Sequence, residues 1–245
     1  MKSFLTALRF LTIIKIRSSD EISFSNLSDS TIFFPYIGAL IGLLSLFLFV
    51  LIKKILPLSL SLILTIFFQE ILSGGLHLDG FADTIDGFSG GKDKQKIISI
   101  MRDEYIGVFA VGGLIGLFLI KIYALLSITP LGRYIMIFLY PSLGRWVAVE
   151  VCAFSTYANS YGTGLPFVKF TGKKEFFVAT VLFLFVLIPV AKIKGIFMLF
   201  VVALWGFLVI LFFSSRLGGI TGDIIGFSVE GSELIALILA SILFR

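Results

Sequence analysis

The sequence predicts an all-α fold, a polytopic helical bundle in a membrane with about seven spans, within a range of roughly six to eight. Of its 245 residues, 58% are hydrophobic and only 14% are charged, whereas soluble domains carry about one-quarter charged residues. Residues 31–52 and 195–215 contain no charged side chain, and each reaches the roughly 20 residues that an α-helix needs to cross the hydrocarbon layer. No solvated linker divides the chain, so residues 1–245 are expected to form a single membrane domain.

The other predicted elements follow in order along the chain. FLTALRFLTIIKI, residues 4–16, places Arg9 and Lys15 at a spacing that suits an amphipathic helix lying in the membrane interface. The longest polar segments are residues 17–30 and 80–104. The remaining candidate spans are residues 55–78 with Glu70, 105–128 with Lys121, 134–152 with Arg145 and Glu150, 176–191 without a charge, and 220–244 with Asp223, Glu230 and Glu233.

The charge pattern indicates which partners the protein has. The net charge of +5 comes from basic residues that stand mostly at span ends, which is typical of membrane proteins and indicates a lipid bilayer rather than nucleic acid as the partner. Cys152 is the only cysteine, so the chain forms neither an intrachain disulfide nor a thiolate metal cluster.

The segment GGLHLDGFADTIDGF, residues 74–88, concentrates acidic side chains in an apolar sequence. Asp79, Asp83 and Asp86 follow i, i+4, i+7 spacing, which places the three carboxylates on one face of a helix. One carboxylate near the bilayer centre costs roughly 2.5–3.5 kcal/mol on insertion scales, so three of them need water, cationic partners or a metal. Mg²⁺ prefers oxygen ligands and often bridges carboxylates to phosphates. The segment therefore predicts a polar metal-binding bowl at one membrane face, and the competing interpretation is a solvated loop beyond a span end.

Further polar residues flank this segment. His77 is a candidate for ligand binding or proton transfer, or else for a structural hydrogen bond. Arg102, in SIMRDEYIGVFA, is a candidate phosphate ligand or a positively charged span end. Lys92, Lys94 and Lys96 either meet an anionic ligand or form a solvated charge run.

Acidic residues recur near the carboxyl end, in RLGGITGDIIGFSVEGSE, residues 216–233. Asp223 and Glu230 stand seven residues apart on one helix face, with Glu233 about one turn beyond. Carboxylates inside a span are costly, so they indicate a role in the same polar cavity as the aspartates. Arg145 is expected either to pair with Glu150 or to meet an anionic substrate.

Three of these segments together resemble a known family. GGLHLDGFADTIDGF, IMRDEYIGVFA and GGITGDIIG are similar in order and spacing to the adenosylcobinamide-GDP ribazoletransferase, or cobalamin synthase, family, and the resemblance covers most of the chain. It implies a magnesium-dependent membrane transferase late in cobalamin biosynthesis. The implied reaction joins adenosylcobinamide-GDP to α-ribazole or its 5′-phosphate, gives adenosylcobalamin or its 5′-phosphate, and releases GMP.

The resemblance also suggests roles for residues in the matching segments. Mg²⁺ is assigned to Asp79, Asp83 and Asp86, some of them acting through water, because charge builds on phosphate oxygens in this reaction. The candidate general base is one of these aspartates, Asp223 or His77. The full assignment is His77, Asp103 and Asp223 as catalytic residues, and Gly80, Gly87, Lys94, Arg102, Arg145 and Glu233 as substrate-binding residues.

Two other functions explain some of the same features. CDP-alcohol phosphotransferases also hold metal on membrane helices, but in their pattern an arginine follows the alanine, whereas here Ala82 is followed by Asp83. An ion-coupled transporter would place carboxylates along a path across the bilayer, whereas these aspartates are packed at one apparent span end.

The implied substrates are cytosolic, so residues 80–104 are expected to face the cytoplasm from the cell inner membrane. Lys53 and Lys54 at the end of the preceding span also favour the cytoplasmic side. Residues 55–78 are therefore predicted to form a tilted or re-entrant helix that returns to the same side. The candidate protein partners are a second copy of this chain, in a homo-oligomer, and other late cobalamin-pathway enzymes.

Overall fold

The computed structural model describes residues 2–15 and 24–245, and within these ranges the chain forms eleven α-helices and no β-strand. The all-α prediction is confirmed for this part of the chain. The predicted interfacial helix over residues 4–16 ends earlier, at Leu11. Ile16 and residues 17–23 of the first polar segment lie outside the described residues. The helices are α1 Lys2–Leu11, α2 Phe24–Thr31, α3 Phe34–Ile52, α4 Leu58–Leu72, α5 Leu76–Gly90, α6 Lys94–Met101, α7 Val108–Ser127, α8 Pro130–Phe154, α9 Leu165–Phe170, α10 Lys173–Leu217 and α11 Gly222–Leu243.

Among the described helices, five are long and apolar enough to cross a membrane, namely α3, α7, α8, α10 and α11. Helices α4 and α5 together also qualify, with a bend of 92° between them, which gives up to six candidate spans. The prediction of about seven counted residues 176–191 and 195–215 as two spans, and both lie in the 45 residues of α10, on either side of a break at Lys192. The exact number of crossings therefore stays a prediction.

Helix α10 is sharply bent. Lys192 has φ 51° and ψ −140°, outside the helical region. A Cβ atom on Gly195 would lie 3.0 Å from Leu187 Cγ, although residues eight apart in a straight helix are separated by about 12 Å along the axis. Residues 173–191 and 193–217 therefore fold back on each other. Lys194 Nζ donates to Leu243 O at 2.6 Å and ties this bend to the end of α11.

Helix α8 lies at the centre of the bundle and packs against α3, α10 and α11. Its contact with α3 brings the two backbones together: a Cβ on Gly38 would lie 2.5 Å from Pro141 O, and a Cβ on Gly42 would lie 2.0 Å from Phe138 O. Small residues permit this approach, and close packing is what holds helices together where lipid is as apolar as the side chains.

The path of α3 and α4 decides which residues share an end of the bundle. Phe34, the first residue of α3, and Leu76, the first residue of α5, line the same cavity. The 19 residues of α3 carry the chain about 28 Å away from it, and α4 returns over 15 residues, or about 22 Å. Lys53 and Lys54 therefore lie at the opposite end from the aspartates.

The prediction that residues 55–78 return to the side of Lys53 and Lys54 is wrong. Helix α4 leads from the end of the bundle with Lys53 and Lys54 to the end with the aspartates, and the bend comes only after it, where Gly74 and Gly75 take φ values of 66° and 68°. This left-handed backbone costs glycine little and strains other residues, so the turn needs these two glycines.

Candidate active site

Helix α5 carries Asp79, Asp83 and Asp86, so the structure brings the three predicted aspartates onto one helix. Asp79 is exposed, whereas Asp83 and Asp86 are half-buried. The site begins at the amino end of this helix, directly after the glycine turn.

Asp86 holds the start of α7. Its Oδ1 accepts a hydrogen bond from Ala110 N at 2.8 Å, and its Oδ2 accepts one from Gly107 N. These are amide groups of the first helical turn, which have no partner inside the helix and favour a negative charge. Both oxygens of Asp86 are thus engaged by backbone, so the geometry favours a capping role and does not support its assignment to Mg²⁺.

Asp223 lies beside α5 at the start of α11. Thr221 Oγ1 accepts from Ile224 N at 3.4 Å and donates to Asp223 Oδ2 at 3.2 Å, which fixes the first turn of α11. A Cβ on Gly80 would lie 2.7 Å from Asp223 O. Gly80 therefore serves the close packing of α5 against α11, and its assignment to substrate binding has no support from the structure.

The four residues Asp79, Asp83, Asp86 and Asp223, here called the aspartate cluster, form one electrostatic unit. Asp79, Asp86 and Asp223 are all close enough to Asp83 to repel its charge, and Asp79 also repels Asp223. No ion pair within residues 2–15 and 24–245 involves any of the four. Arg102 attracts Asp223, but four carboxylates exceed this one positive charge, and such an excess favours a bound cation whose preferred ligands are oxygens, as for Mg²⁺.

A second group of carboxylates lies deeper in the bundle. In the part of the chain that the structure describes, Glu70, Glu230 and Glu233 are the carboxylates whose oxygens all approach within 4.8 Å of one another. The fully buried Lys121 ammonium lies among them, 2.6 Å from Glu230, 2.8 Å from Glu233 and 3.3 Å from Glu70. Lys121 therefore supplies positive charge to all three carboxylates of this group.

Arg145 belongs to the same buried network. Its Nη1 pairs with Glu233 Oε1, so the predicted alternative of a pair with Glu150 is wrong. Arg145 and Glu233 are 3% and 2% exposed, so the geometry gives them a structural ion pair rather than contact with an incoming substrate. Lys121 and Glu70 appeared in the sequence only as interruptions of two spans; opposite charges at membrane depth are the signal that could have paired them.

Two cavities meet at Asp223. One of about 220 Å³, here called the aromatic cavity, is lined by Phe10, Phe34, Phe167 and Cys152 and by the polar residues His77, Asp79 and Asp223. The other, of about 110 Å³ and here called the polar pocket, is lined by Arg102, Tyr157, Tyr161 and Asp223. Thr163 and Gly222 also line both cavities, so the two are neighbouring parts of one site.

The polar pocket combines a cation with two phenols. Arg102 Nη1 donates to the Tyr161 hydroxyl, and the guanidinium lies 4.5 Å from the centre of that ring. The Tyr157 hydroxyl accepts from Gly222 N at 3.3 Å. Burial raises the pKa of Tyr157 above its usual value, so this phenol keeps its proton at neutral pH.

The other predicted residues have separate surroundings. Lys94 Nζ donates to Ala158 O at 3.4 Å, beside the loop that forms the polar pocket. Asp103 is exposed, and its Oδ1 accepts from Tyr105 N at 3.2 Å. A Cβ on Gly87 would lie 2.4 Å from Met101 Cγ, so this glycine packs α5 against α6. The catalytic assignment of Asp103 and the substrate-binding assignment of Gly87 stay predictions.

Residues 155–164, STYANSYGTG, were missed by the sequence reasoning. This loop supplies Tyr157, Tyr161 and Thr163 to the site. A polar, glycine-containing segment between two apolar helices is the signal that could have identified it, because functional residues are often carried on loops that a rigid scaffold positions.

The helices and the site together define a class: a polytopic helical membrane protein with clustered carboxylates next to an arginine-containing pocket. The family model described as cobalamin-5-phosphate synthase matches residues 3–241. The chain belongs to this family, and it is a transferase of cobalamin biosynthesis.

Curated relatives agree over nearly the whole length. The adenosylcobinamide-GDP ribazoletransferase of Acetivibrio thermocellus is 33% identical over 98% of this chain and 97% of its own. The protein of the same name from Clostridium tetani is 32% identical over 97% and 95% of the two chains. That of Caldanaerobacter subterraneus is 30% identical over 99% of each. No solved structure matches the chain.

Proposed function

We propose that this protein joins adenosylcobinamide-GDP to α-ribazole or α-ribazole 5′-phosphate, giving adenosylcobalamin or its 5′-phosphate and releasing GMP. The observation that carries the proposal is that Asp223 lines both the aromatic cavity and the polar pocket. One carboxylate thus faces a space for an apolar group and a space that holds Arg102. The reaction needs this arrangement, because a nucleoside hydroxyl must meet a pyrophosphate.

Asp79 and Asp83 would hold Mg²⁺, since Asp86 is engaged by the backbone of α7 and Asp223 is left to accept a proton. Bound there, Mg²⁺ supplies positive charge to the phosphate oxygens on which charge develops. The open spacing of these carboxylates suits an ion that keeps several water ligands and takes only one or two carboxylates directly. Asp83 is central to this site because three other carboxylates repel its charge.

Arg102 and Tyr157 would bind the pyrophosphate from the polar pocket. The guanidinium presents planar donors that match phosphate oxygens. The Tyr157 hydroxyl keeps its proton at neutral pH because burial raises its pKa, so it can donate a hydrogen bond to an anionic oxygen. These donors would stabilise the charge that builds as the bond to GMP lengthens.

Asp223 would act as the general base. It takes the proton from the ribose hydroxyl as the hydroxyl oxygen forms its bond to the phosphorus next to cobinamide, while the pyrophosphate bond breaks and GMP leaves. Its place between the two cavities puts it within reach of a nucleoside in one and a phosphate in the other, and proximity is the first requirement for a general base.

The site would face the cytoplasm from the inner membrane. The end of the bundle that holds the aspartates carries more basic side chains than the opposite end, which is the bias found on cytoplasmic faces. At the site end are Arg9, Lys92, Lys94, Lys96, Arg102, Lys169, Lys173, Lys174 and Arg216; at the opposite end are Lys53, Lys54, Arg133, Lys192, Lys194 and Arg245.

The reaction is tested with detergent-purified protein, both substrates and Mg²⁺. GMP and the cobalamin product should appear in equal amounts, and both should depend on α-ribazole 5′-phosphate. Omission of Mg²⁺ should stop the reaction. A folded protein that releases no GMP from adenosylcobinamide-GDP would refute the proposed function, and transport needs no such release.

A further inference from the structure

The aromatic cavity is a distinct part of the site with its own chemistry. Phe10, Phe34 and Phe167 form a continuous wall: the ring centres of Phe10 and Phe167 are 4.2 Å apart, and those of Phe34 and Phe167 are 5.6 Å apart. Phe10 comes from α1, Phe34 from α3 and Phe167 from α9, so three separate elements supply aromatic rings to one space.

The size of the cavity limits what it can hold. Its volume of about 220 Å³ exceeds the roughly 150 Å³ of an apolar cavity that binds benzene. It therefore accommodates a bicyclic aromatic ring system, whereas a corrin ring is far larger.

The polar groups of the cavity limit the occupant further. Among the described residues that line it, His77 Nε2 is the buried side-chain atom without a hydrogen-bond partner. Against the phenylalanine wall and His77, guanine would leave most of the donors and acceptors on its edge unsatisfied, which is costly in apolar surroundings. A benzimidazole riboside has one free ring nitrogen, and one histidine N–H satisfies it.

We infer that the aromatic cavity binds the benzimidazole base of the incoming riboside, and that its phenylalanine wall and His77 determine the specificity for that base. The base lies against Phe10, Phe34 and Phe167, and its free ring nitrogen accepts from His77 Nε2 in the tautomer that carries a proton there. This inference rests on the proposed function, because it locates one of the two substrates of that reaction.

The position of the cavity determines how the bound riboside is oriented in the site. Asp79 and Asp223 line the same cavity as the phenylalanines, so a ribose attached to the bound base lies at these carboxylates. Asp223 also lines the polar pocket with Arg102. Base, ribose and phosphate thus follow the order of apolar wall, carboxylates and guanidinium, which brings the hydroxyl to the reacting phosphate.

Two substitutions reduce the cavity without changing a charge. Cys152 is buried in its wall, and Cys152→Phe adds a ring to the space, whereas Cys152→Ala leaves the space open and serves as the matched control. Leu76 is 36% exposed at the rim, so Leu76→Trp obstructs the cavity at a position that tolerates a larger side chain. Leu76→Trp decides the question if Cys152→Phe does not fold.

Binding is measured first, by equilibrium dialysis of radiolabelled α-ribazole 5′-phosphate, and the two KM values are measured next. Both reducing variants should weaken α-ribazole 5′-phosphate binding by about tenfold or more, which corresponds to about 1.4 kcal/mol. The KM for adenosylcobinamide-GDP should stay within about twofold, and Cys152→Ala should resemble the wild type. In the wild type, free benzimidazole should compete with the riboside but not with adenosylcobinamide-GDP.

The outcomes separate this inference from the proposed function. Turnover with an unchanged riboside KM in a folded Leu76→Trp protein would overturn the inference and leave the reaction intact. A rise in the KM for adenosylcobinamide-GDP alone would also overturn it, since the cavity would then hold the other substrate. Riboside binding that the variants weaken, without GMP release by the wild type, would support the cavity assignment and refute the reaction.

Discussion

Replacement of Lys121 by methionine tests whether the buried ion-pair network holds the bundle together. The ammonium is fully buried, with carboxylate oxygens at 2.6, 2.8 and 3.3 Å. At an effective dielectric constant of about 20, each of these contacts gives roughly 5–6 kcal/mol of gross attraction. Desolvation of the charged groups offsets most of this attraction.

The expected net loss in the free energy of unfolding is about 3–5 kcal/mol, the usual cost of removing one partner from a buried ion pair. Methionine keeps an unbranched apolar side chain, so the loss reports mainly on charge. The measurement is reversible unfolding in mixed detergent micelles, followed by the fluorescence of Trp146 and Trp205. Lys54→Met, at an exposed position, is the matched control and should change the free energy by less than about 0.5 kcal/mol.

A second substitution checks the physical reason. Lys121→Met combined with Glu230→Gln should regain about 1–2 kcal/mol, because one of the carboxylates left without its cation is removed. A loss below about 0.5 kcal/mol for Lys121→Met alone would refute the view that this network stabilises the fold.

Three further predictions concern the site. Gly80→Ala should lower turnover at least about tenfold and cost about 1–3 kcal/mol of stability, because its Cβ would lie 2.7 Å from Asp223 O. The control is Gly112→Ala, which has nothing within 4 Å of its Cβ. Equal activity of the two variants would contradict this packing role of Gly80. Asp86→Asn should cost about 1 kcal/mol in thermal unfolding and leave the Mg²⁺ concentration for half-maximal activity unchanged, whereas a large rise would make Asp86 a metal ligand after all. Arg102→Ala should raise the KM for adenosylcobinamide-GDP about tenfold or more, and an unchanged KM would remove Arg102 from the pyrophosphate site.

The aspartate spacing was predictable because a helix converts sequence separation directly into direction. Asp79, Asp83 and Asp86 stand at i, i+4 and i+7, and α5 places them on one helix. Their partners were not predictable in the same way. The two amides that hold Asp86 belong to Gly107 and Ala110, more than twenty residues away, and nothing in the local pattern indicates that the start of α7 lies there.

The approach of α11 to the aspartates is another long-range feature. The acidic side chains of segment 216–233 were expected in the same cavity as the aspartates, but the structure places them in two separate groups. Asp223 reaches the aspartate cluster, whereas Glu230 and Glu233 turn to Lys121. Seven residues on one face extend about 10 Å along a helix, which is enough to separate the site from the core.

Backbone reversals had different outcomes. The positive φ values at Gly74 and Gly75 place a turn after α4 that the prediction for residues 55–78 missed, whereas the break of α10 at Lys192 falls between the predicted segments 176–191 and 195–215. Apolar composition predicts that a segment crosses a membrane, but it carries no information on where a helix bends. Topology therefore depended on the packed structure more than on the sequence.

The most direct test of the central claim is single-turnover GMP release by the wild type and by Asp83→Asn across a range of Mg²⁺ concentrations. Asparagine keeps the size of the side chain and removes the charge that the neighbouring carboxylates surround. We expect Mg²⁺-dependent release by the wild type, with a rate at least about a hundredfold lower in the variant and unchanged thermal unfolding. Wild-type rates and Mg²⁺ dependence in Asp83→Asn would contradict the assignment of the aspartate cluster as the metal-dependent site.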